Sequence, residues 1–193
     1  MTLRIYGNRP LKTLAGQHTR PTAGRVREAL FNILQSGILG CRWLDLCAGS
    51  GAMGAEALCR GASAVVGIDS SKPACAVVSH NWRQVAQPHQ SVQVIRGDVV
   101  KQLARLDSSS FDYIYFDPPY ESDLYAPVLE AIATSGLLKP GGALIVEHGR
   151  NKILPSELSD LRQPGQPLRL YRYRQKTYGR TELSFYSIDE SIA

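Results

Sequence analysis

The chain is predicted to fold as a doubly wound α/β domain, a mainly parallel sheet flanked by helices and finished by a C-terminal antiparallel hairpin. Three observations carry this. From Arg42 to Glu147, short apolar runs alternate with segments of helical period. A glycine-rich stretch, Gly49-Ser-Gly-Ala-Met-Gly54, falls where the first of these runs must turn into a helix. After Arg150 the alternation gives way to two strand-like runs.

In chain order, Leu3 to Tyr6 is a short strand candidate, followed by a loop to Arg20. Pro21 and Thr22 are helix start signals, and Val26, Leu30, Ile33 and Leu34 then share one helical face. Strands are expected at 42–46, 64–69, 91–96, 111–117 and 142–147, with helices at 51–60, 71–86, 98–106 and 122–135 between them. A short helix is expected at 156–161, then strands at 167–174 and 180–187 joined through Gln175 to Gly179 as a hairpin at the sheet edge. A chain of 193 residues supplies one sizeable core, so residues 1–193 are read as a single domain.

Composition narrows the class. Apolar residues at 44% and charged residues at 20% are those of a globular protein, and no run approaches the roughly 18–20 apolar residues of a membrane span. With no apolar signal-peptide core at the start, the expected location is the cytoplasm. Cys41, Cys47, Cys59 and Cys75 lack the spacing of a zinc or redox motif and read as reduced, mostly buried residues. His18, His80, His89 and His148 show no metal-ligand spacing, so no metal is expected.

The net charge of +5 hides an asymmetry. Residues 1–27 hold six Arg or Lys and no acid, and residues 161–181 hold six more, again with no acid. Basic flanks of this kind suit a polyanion, because each phosphate neutralised releases counterions. The segment 1–22 is therefore a candidate for nucleic-acid binding, the alternative being a solvated basic face with no partner.

The glycine loop also satisfies a dinucleotide pattern, G-x-G-x-x-G, and its surroundings decide the ligand. Asp69 ends the next strand 20 residues after Gly49, where a carboxylate can accept ribose hydroxyls. Asp98 follows Gly97 at the end of the third strand, placed for an adenine amino group. Asp45 precedes the glycines, and an acid there suits the cationic amino-acid end of S-adenosylmethionine better than a pyrophosphate. Helix capping is the structural alternative for Asp45 and Asp98. The expected cofactor set is Asp45, Cys47, Ala48, Gly49, Ser50, Gly51, Asp69, Ser70, Gly97, Asp98 and Val99.

Asp117-Pro118-Pro119-Tyr120 follows the fourth strand, at the strand end where ligands lie in such sheets. An exocyclic amine on a base is a poor nucleophile because its lone pair is delocalised into the ring. The Asp117 carboxylate and the Pro118 carbonyl can each accept one N–H, which aims the lone pair at a methyl donor and lets Asp117 take the proton. Proline brings no competing N–H, and Tyr120 offers a flat face for a base taken out of its helix.

Four segments, residues 19–34, 44–54, 116–120 and 178–186, resemble the bacterial RsmD-type family of 16S rRNA guanine-N2 methyltransferases. The resemblance implies a seven-stranded Rossmann-like fold of the S-adenosylmethionine-dependent methyltransferases. It also implies methyl transfer to N2 of a guanine in small-subunit rRNA or in an assembling 30S subunit, with the basic segment 1–22 serving RNA binding; the chain is expected to act as a monomer. It assigns the target base to Asp117–Tyr120 and RNA contacts to Arg20, Arg25 and Arg27. Cys47 departs from the aromatic residue expected in the family's glycine loop. The competing expectations are a DNA adenine-N6 or cytosine-N4 methyltransferase, which can use the same four-residue motif, and a nicotinamide-dependent oxidoreductase, which has no use for it.

Overall fold

Leu3–Ile5 (β1) and Arg9–Leu11 (β2) pair antiparallel across a 3-10 turn at Tyr6–Asn8, where a loop was expected. Leu11, only 3% exposed amid polar neighbours, supplies the reason: it buries opposite Leu3, and Pro10 is tolerated because both strands are edges. The computed structural model describes residues 3–14, 21–108, 110–159 and 169–188. These fall into two compact units, Met1–Asp98 and Val99–Ala193.

In the first unit, Pro21–Ile33 (α1) buries Val26, Leu30 and Phe31, and Phe31 stacks on Trp43 with ring centroids 5.2 Å apart. Arg42–Leu46 (β3), Ala64–Asp69 (β4) and Ser91–Arg96 (β5) are parallel strands in the order β5-β4-β3. Ala52–Cys59 (α2) and Lys72–Val85 (α3) are the connecting helices. Ser71 caps α3, its hydroxyl accepting from the Ala74 N–H, and Pro73 sits in the first turn where a missing N–H costs nothing. Of the cysteines, Cys41 is buried and the other three are half-buried, and all are free thiols.

Trp82 of α3 organises this unit. Its side chain is fully buried, and its indole N–H donates to the Gly51 carbonyl at 2.7 Å. A Cβ at Gly54 would lie 2.3 Å from the indole, and one at Gly67 2.5 Å from it. The absence of side chains at these positions is what lets α2 and β4 close on the ring.

In the second unit, Val99–Leu103 (α4) is shorter than the expected 98–106. Phe111–Phe116 (β6) runs parallel to Leu138–Gly149 (β7), with Tyr125–Ser135 (α5) between them in sequence. The strand β7 begins before the expected residue 142 because Pro140-Gly-Gly142, a turn signal in sequence, forms an irregularity inside it. A Cβ at Gly142 would sit 2.7 Å from the Asp112 carbonyl.

Where a helix was expected at 156–161, residues 157–159 form a strand, Glu157–Ser159 (β8), which pairs with Arg169–Tyr171 and buries Leu158, while residues 160 and 161 lie outside the described residues. A helix of less than two turns cannot repay its nucleation cost, whereas an open strand edge offers pairing at once. Arg169–Tyr178 (β9) and Thr181–Ser187 (β10) form a hairpin as expected, but residues 175–178, expected in its connection, extend β9 by pairing with β10, and the turn is Gly179-Arg180; residues 167 and 168 lie outside the described residues. The hairpin joins β7 through β10, so the order is β6-β7-β10-β9-β8 and the outermost strand is β8.

Replacing Gly54 with Ala is expected to destabilise the chain by about 1–3 kcal/mol through overpacking against Trp82. Denaturant unfolding of G54A, W82F and the double variant checks this. The double variant should be less destabilised than the two single effects added together, because the smaller ring clears the methyl group.

Candidate active site

The first unit gathers most of the expected cofactor residues at the carboxyl ends of its three parallel strands. Asp45 lies in β3, the loop Cys47–Gly51 follows it, Asp69 ends β4, and Gly97 and Asp98 follow β5. The loop turns through left-handed backbone at Cys47 (φ 60°), Gly49 (φ 56°) and Gly51 (φ 72°). Such a value is rare for a residue with a side chain; the Cys47 N–H is held there by the Ile68 carbonyl at 2.9 Å. Asn81 of α3 supports the loop from below, its amide donating to the Ser50 carbonyl at 2.9 Å.

Asp69 accepts the Gly49 N–H on one oxygen at 2.9 Å and the Ser71 N–H on the other at 2.8 Å. Those bonds hold the loop and fix the carboxylate, and each oxygen keeps lone-pair capacity for a further donor. The Gly97 N–H donates to the Asp69 carbonyl at 3.0 Å, which ties the β5 turn to the same place. Asp98 and Ser70 are exposed beside it. Val99 opens α4 in the second unit and is buried.

Asp45 is 2% exposed, and one carboxyl oxygen accepts the Gly54 N–H at 3.0 Å. It therefore caps α2, whose own N-cap is the glycine at 51. This carries two consequences. An amide that could have met a phosphate is already occupied, which disfavours a dinucleotide. Burial raises the Asp45 pKa to about 8, an effect partly offset by the Gly54 bond and reinforced by the charge of Asp69. A cationic ligand group beside Asp45 reverses that cost, so the donor set fits S-adenosylmethionine.

In the second unit, Asp117-Pro118-Pro119-Tyr120 leaves the end of β6 as a turn in which the Ser122 N–H donates to the Pro119 carbonyl at 2.9 Å. Pro118 is buried, Pro119 is exposed, and Asp117 and Tyr120 are partly exposed. The Tyr120 hydroxyl donates to Glu147 at 3.0 Å and meets the Thr181 hydroxyl at 2.8 Å. The Tyr115 hydroxyl donates to the other Glu147 oxygen, and the Tyr125 hydroxyl reaches the Glu147 carbonyl at 3.2 Å.

Glu147 is buried, and that burial raises its pKa against the opposing effect of the two tyrosine bonds. Burial, with the charges of Glu147 and Asp117, pushes the Tyr120 hydroxyl far above its ordinary value. Tyr120 is thus a permanent donor whose ring is pinned at its far end, not a proton acceptor. Glu147 and Thr181 escape sequence reasoning. Glu147 looks like the last residue of a strand, and its tyrosine partners lie 32 and 27 positions away.

The residues expected to meet RNA divide. Arg25 is exposed on α1. Arg27 does not fit: it is 5% exposed and its guanidinium pairs with Glu56 at 3.0 Å and with the Arg4 carbonyl. Glu56 also accepts the Tyr6 N–H and pairs with Arg60, so Arg27 belongs to an internal cluster holding the β1–β2 hairpin, α1 and α2. Arg20 lies outside the described residues.

A strand-end cradle built on buried and half-buried aspartates, together with an Asp-Pro-Pro-Tyr turn on this α/β fold, defines an S-adenosylmethionine-dependent methyltransferase. A family model described as "Conserved hypothetical protein 95" matches residues 3–187, and the chain belongs to that family. It is 34% identical over 180 residues to YlbH of Bacillus subtilis, provisionally described as an rRNA methyltransferase, with 92% of each chain covered. Over 174 residues it is 29% identical to the ribosomal RNA small subunit methyltransferase D of Haemophilus influenzae, with 89% of this chain and 90% of that one covered. Among solved structures, the Escherichia coli protein yhhF, provisionally described as a methyltransferase, matches with a TM-score of 0.77 at 25% identity, over 96% of this chain and 97% of that one. The RsmD-type resemblance is borne out.

Two measurements test the site. Binding of S-adenosylmethionine must leave Asp45 ionised, so the proton it carries below pH 8 has to be released. Affinity should rise by up to about tenfold per pH unit from about pH 6 towards 8 and fall again above it, where the donor's own amino group loses its charge. Calorimetry in buffers of different ionisation enthalpy should show proton release that disappears in Asp45→Asn; equal release in both proteins contradicts the assignment. For Glu147, alanine should lower the methyl-transfer rate by on the order of tenfold to a hundredfold by loosening Tyr120. Affinity for S-adenosylmethionine should stay within about twofold, and Glu147→Gln should recover most of the rate; a parallel fall in affinity points to general unfolding.

Proposed function

We propose that the chain transfers a methyl group from S-adenosylmethionine to the exocyclic N2 amino group of a guanine in small-subunit rRNA, acting as a cytoplasmic monomer on the RNA or on an assembling 30S subunit. The observation that carries this is the Asp117–Tyr120 turn, whose tyrosine is locked by Glu147 and Thr181. Two relatives named as rRNA methyltransferases support RNA as the acceptor, one of them on the small subunit. The basic flanks support it as well.

The bound cofactor supplies an electrophilic methyl group on a sulfonium. The chain's own residues do the rest. The Asp69 carboxylate, held in place by the Gly49 and Ser71 N–H groups, orients the nucleoside end, and Asp45 faces the cationic amino-acid end. The Asp117 carboxylate and the Pro118 carbonyl accept the two N–H bonds of the guanine amine, which turns its lone pair out of the ring. As the N–C bond forms, the sulfonium–methyl bond breaks with its electron pair left on sulfur, and the amine proton passes to Asp117 and from there to water. Tyr120, rigid and always protonated, presents its ring to the base and takes no proton.

The test is nucleoside mapping of 16S rRNA from cells with and without the gene, complemented by wild type or Asp117→Ala. One N2-methylguanosine should vanish without the gene, return with wild type, and remain absent with the alanine variant, whose rate in vitro should fall by at least about a hundredfold. Methyl groups found in DNA on adenine N6 or cytosine N4, with rRNA unchanged, overturn the reading.

A further inference from the structure

One face of the C-terminal hairpin carries cations that the fold leaves unused. Strand pairing fixes which residues share it. Thr181 lies opposite both Gly149 and Tyr178, Leu183 opposite Glu147 and Lys176, and Phe185 opposite Ile145 and Arg174. Residues paired directly across strands point to the same side of a sheet. Arg174, Lys176 and Tyr178 therefore stand on the side that holds Glu147 and Thr181, the residues locking the Tyr120 hydroxyl. The register shift at Phe185/Tyr186 brings Tyr173 to the same side, its ring centroid 6.1 Å from that of Phe185.

The acid of the hairpin is on the other face. Glu182 is bonded there by Gln175 and Thr177. Arg172 serves the structure, donating to the Leu154 carbonyl at 3.0 Å. By contrast Arg174 and Lys176 are exposed, as are Arg150 and Arg180 at the hairpin's end, where the Arg150 N–H donates to the Arg180 carbonyl at 2.9 Å. No ion pair among the described residues involves any of these four. The strand β8 covers β9 only at Arg169–Tyr171, so the basic stretch is also an open strand edge within the described residues.

Charge on an edge strand can serve simply to repel other strands. That role does not require the cations to share a side with the residues that hold Tyr120, nor to be flanked there by tyrosines. We propose that Arg174, Lys176 and Tyr178, with Arg150 and Arg180, form a track for single-stranded RNA flanking the target nucleotide. Cations at alternate positions, about 6.8 Å apart along the strand, meet the phosphates, and Tyr178 stacks on a base. The inference rests on RNA being the acceptor.

The test measures binding of a small-subunit rRNA fragment to the full chain across a salt titration. The charge-reversed pair Arg174→Glu/Lys176→Glu is compared with Arg83→Glu/Arg105→Glu, an equal charge change at exposed positions elsewhere. The track pair should weaken binding at least tenfold at about 0.1 M salt and lower the log–log salt slope by about 2, while the comparison pair stays within twofold of wild type. Tyr178→Ala should raise the KM for RNA severalfold and Tyr178→Phe should not. Affinity for S-adenosylmethionine should be unchanged throughout, which excludes misfolding. Equal losses in the two charge pairs, or none in the track pair, overturn the track alone. A wild-type chain that neither binds nor methylates RNA overturns the function proposed above together with the track.

Discussion

The cofactor cradle depends on how one buried indole is accommodated. Trp82 occupies space that a side chain at position 54 or 67 would need, and its N–H fixes the carbonyl of Gly51. The loop above it is consequently curved from below, by packing, before any ligand arrives. The same helix supplies Asn81, which holds the Ser50 carbonyl and both backbone groups of Lys12. It begins at Ser71, whose N–H is bonded by Asp69. Displacing α3 would thus disturb the loop, the Asp69 carboxylate and the N-terminal segment together. Preorganisation of this kind lowers the ordering cost of binding.

A different kind of constraint governs the second unit. A buried carboxyl group is costly unless its lone pairs are satisfied. Glu147 meets that condition by accepting the hydroxyls of Tyr115 and Tyr120, one from the strand before the turn and one from the turn itself. The requirement of the acid becomes the rigidity of the motif. The ring of Tyr120 also lies close to Gly149, where a Cβ would approach it to 3.3 Å, so its position is bounded on that side by backbone.

The sequence made the strand order of chemistry legible because each signal was local. The spacing from Gly49 to Asp69 and the Asp-Pro-Pro-Tyr run can be read without knowing a single tertiary contact. The misreadings share a cause. Arg27 looks like an exposed cation until Glu56 is seen beside it, and residues 156–161 look helical until β9 offers an edge. Gly54 looks in sequence like part of a dinucleotide pattern, whereas it makes room for Trp82, from a helix nearly thirty residues on. Glu147 and Thr181 were invisible for the same reason: their meaning lies in partners that the β6–β7 pairing supplies for Glu147 and the β7–β10 pairing for Thr181.

The central claim is a division of labour, with donor binding in the first unit and preparation of the acceptor amine in the second. Equilibrium dialysis of labelled S-adenosylmethionine, paired with single-turnover transfer to rRNA, tests it on Asp69→Asn and Asp117→Asn. The account predicts that the Asp69 variant loses donor affinity by at least about tenfold, as expected for charge-assisted hydrogen bonds. The Asp117 variant should bind the donor as wild type does yet transfer its methyl group at least about a hundredfold more slowly. Loss of donor affinity in the Asp117 variant, or full transfer by it, would contradict the account.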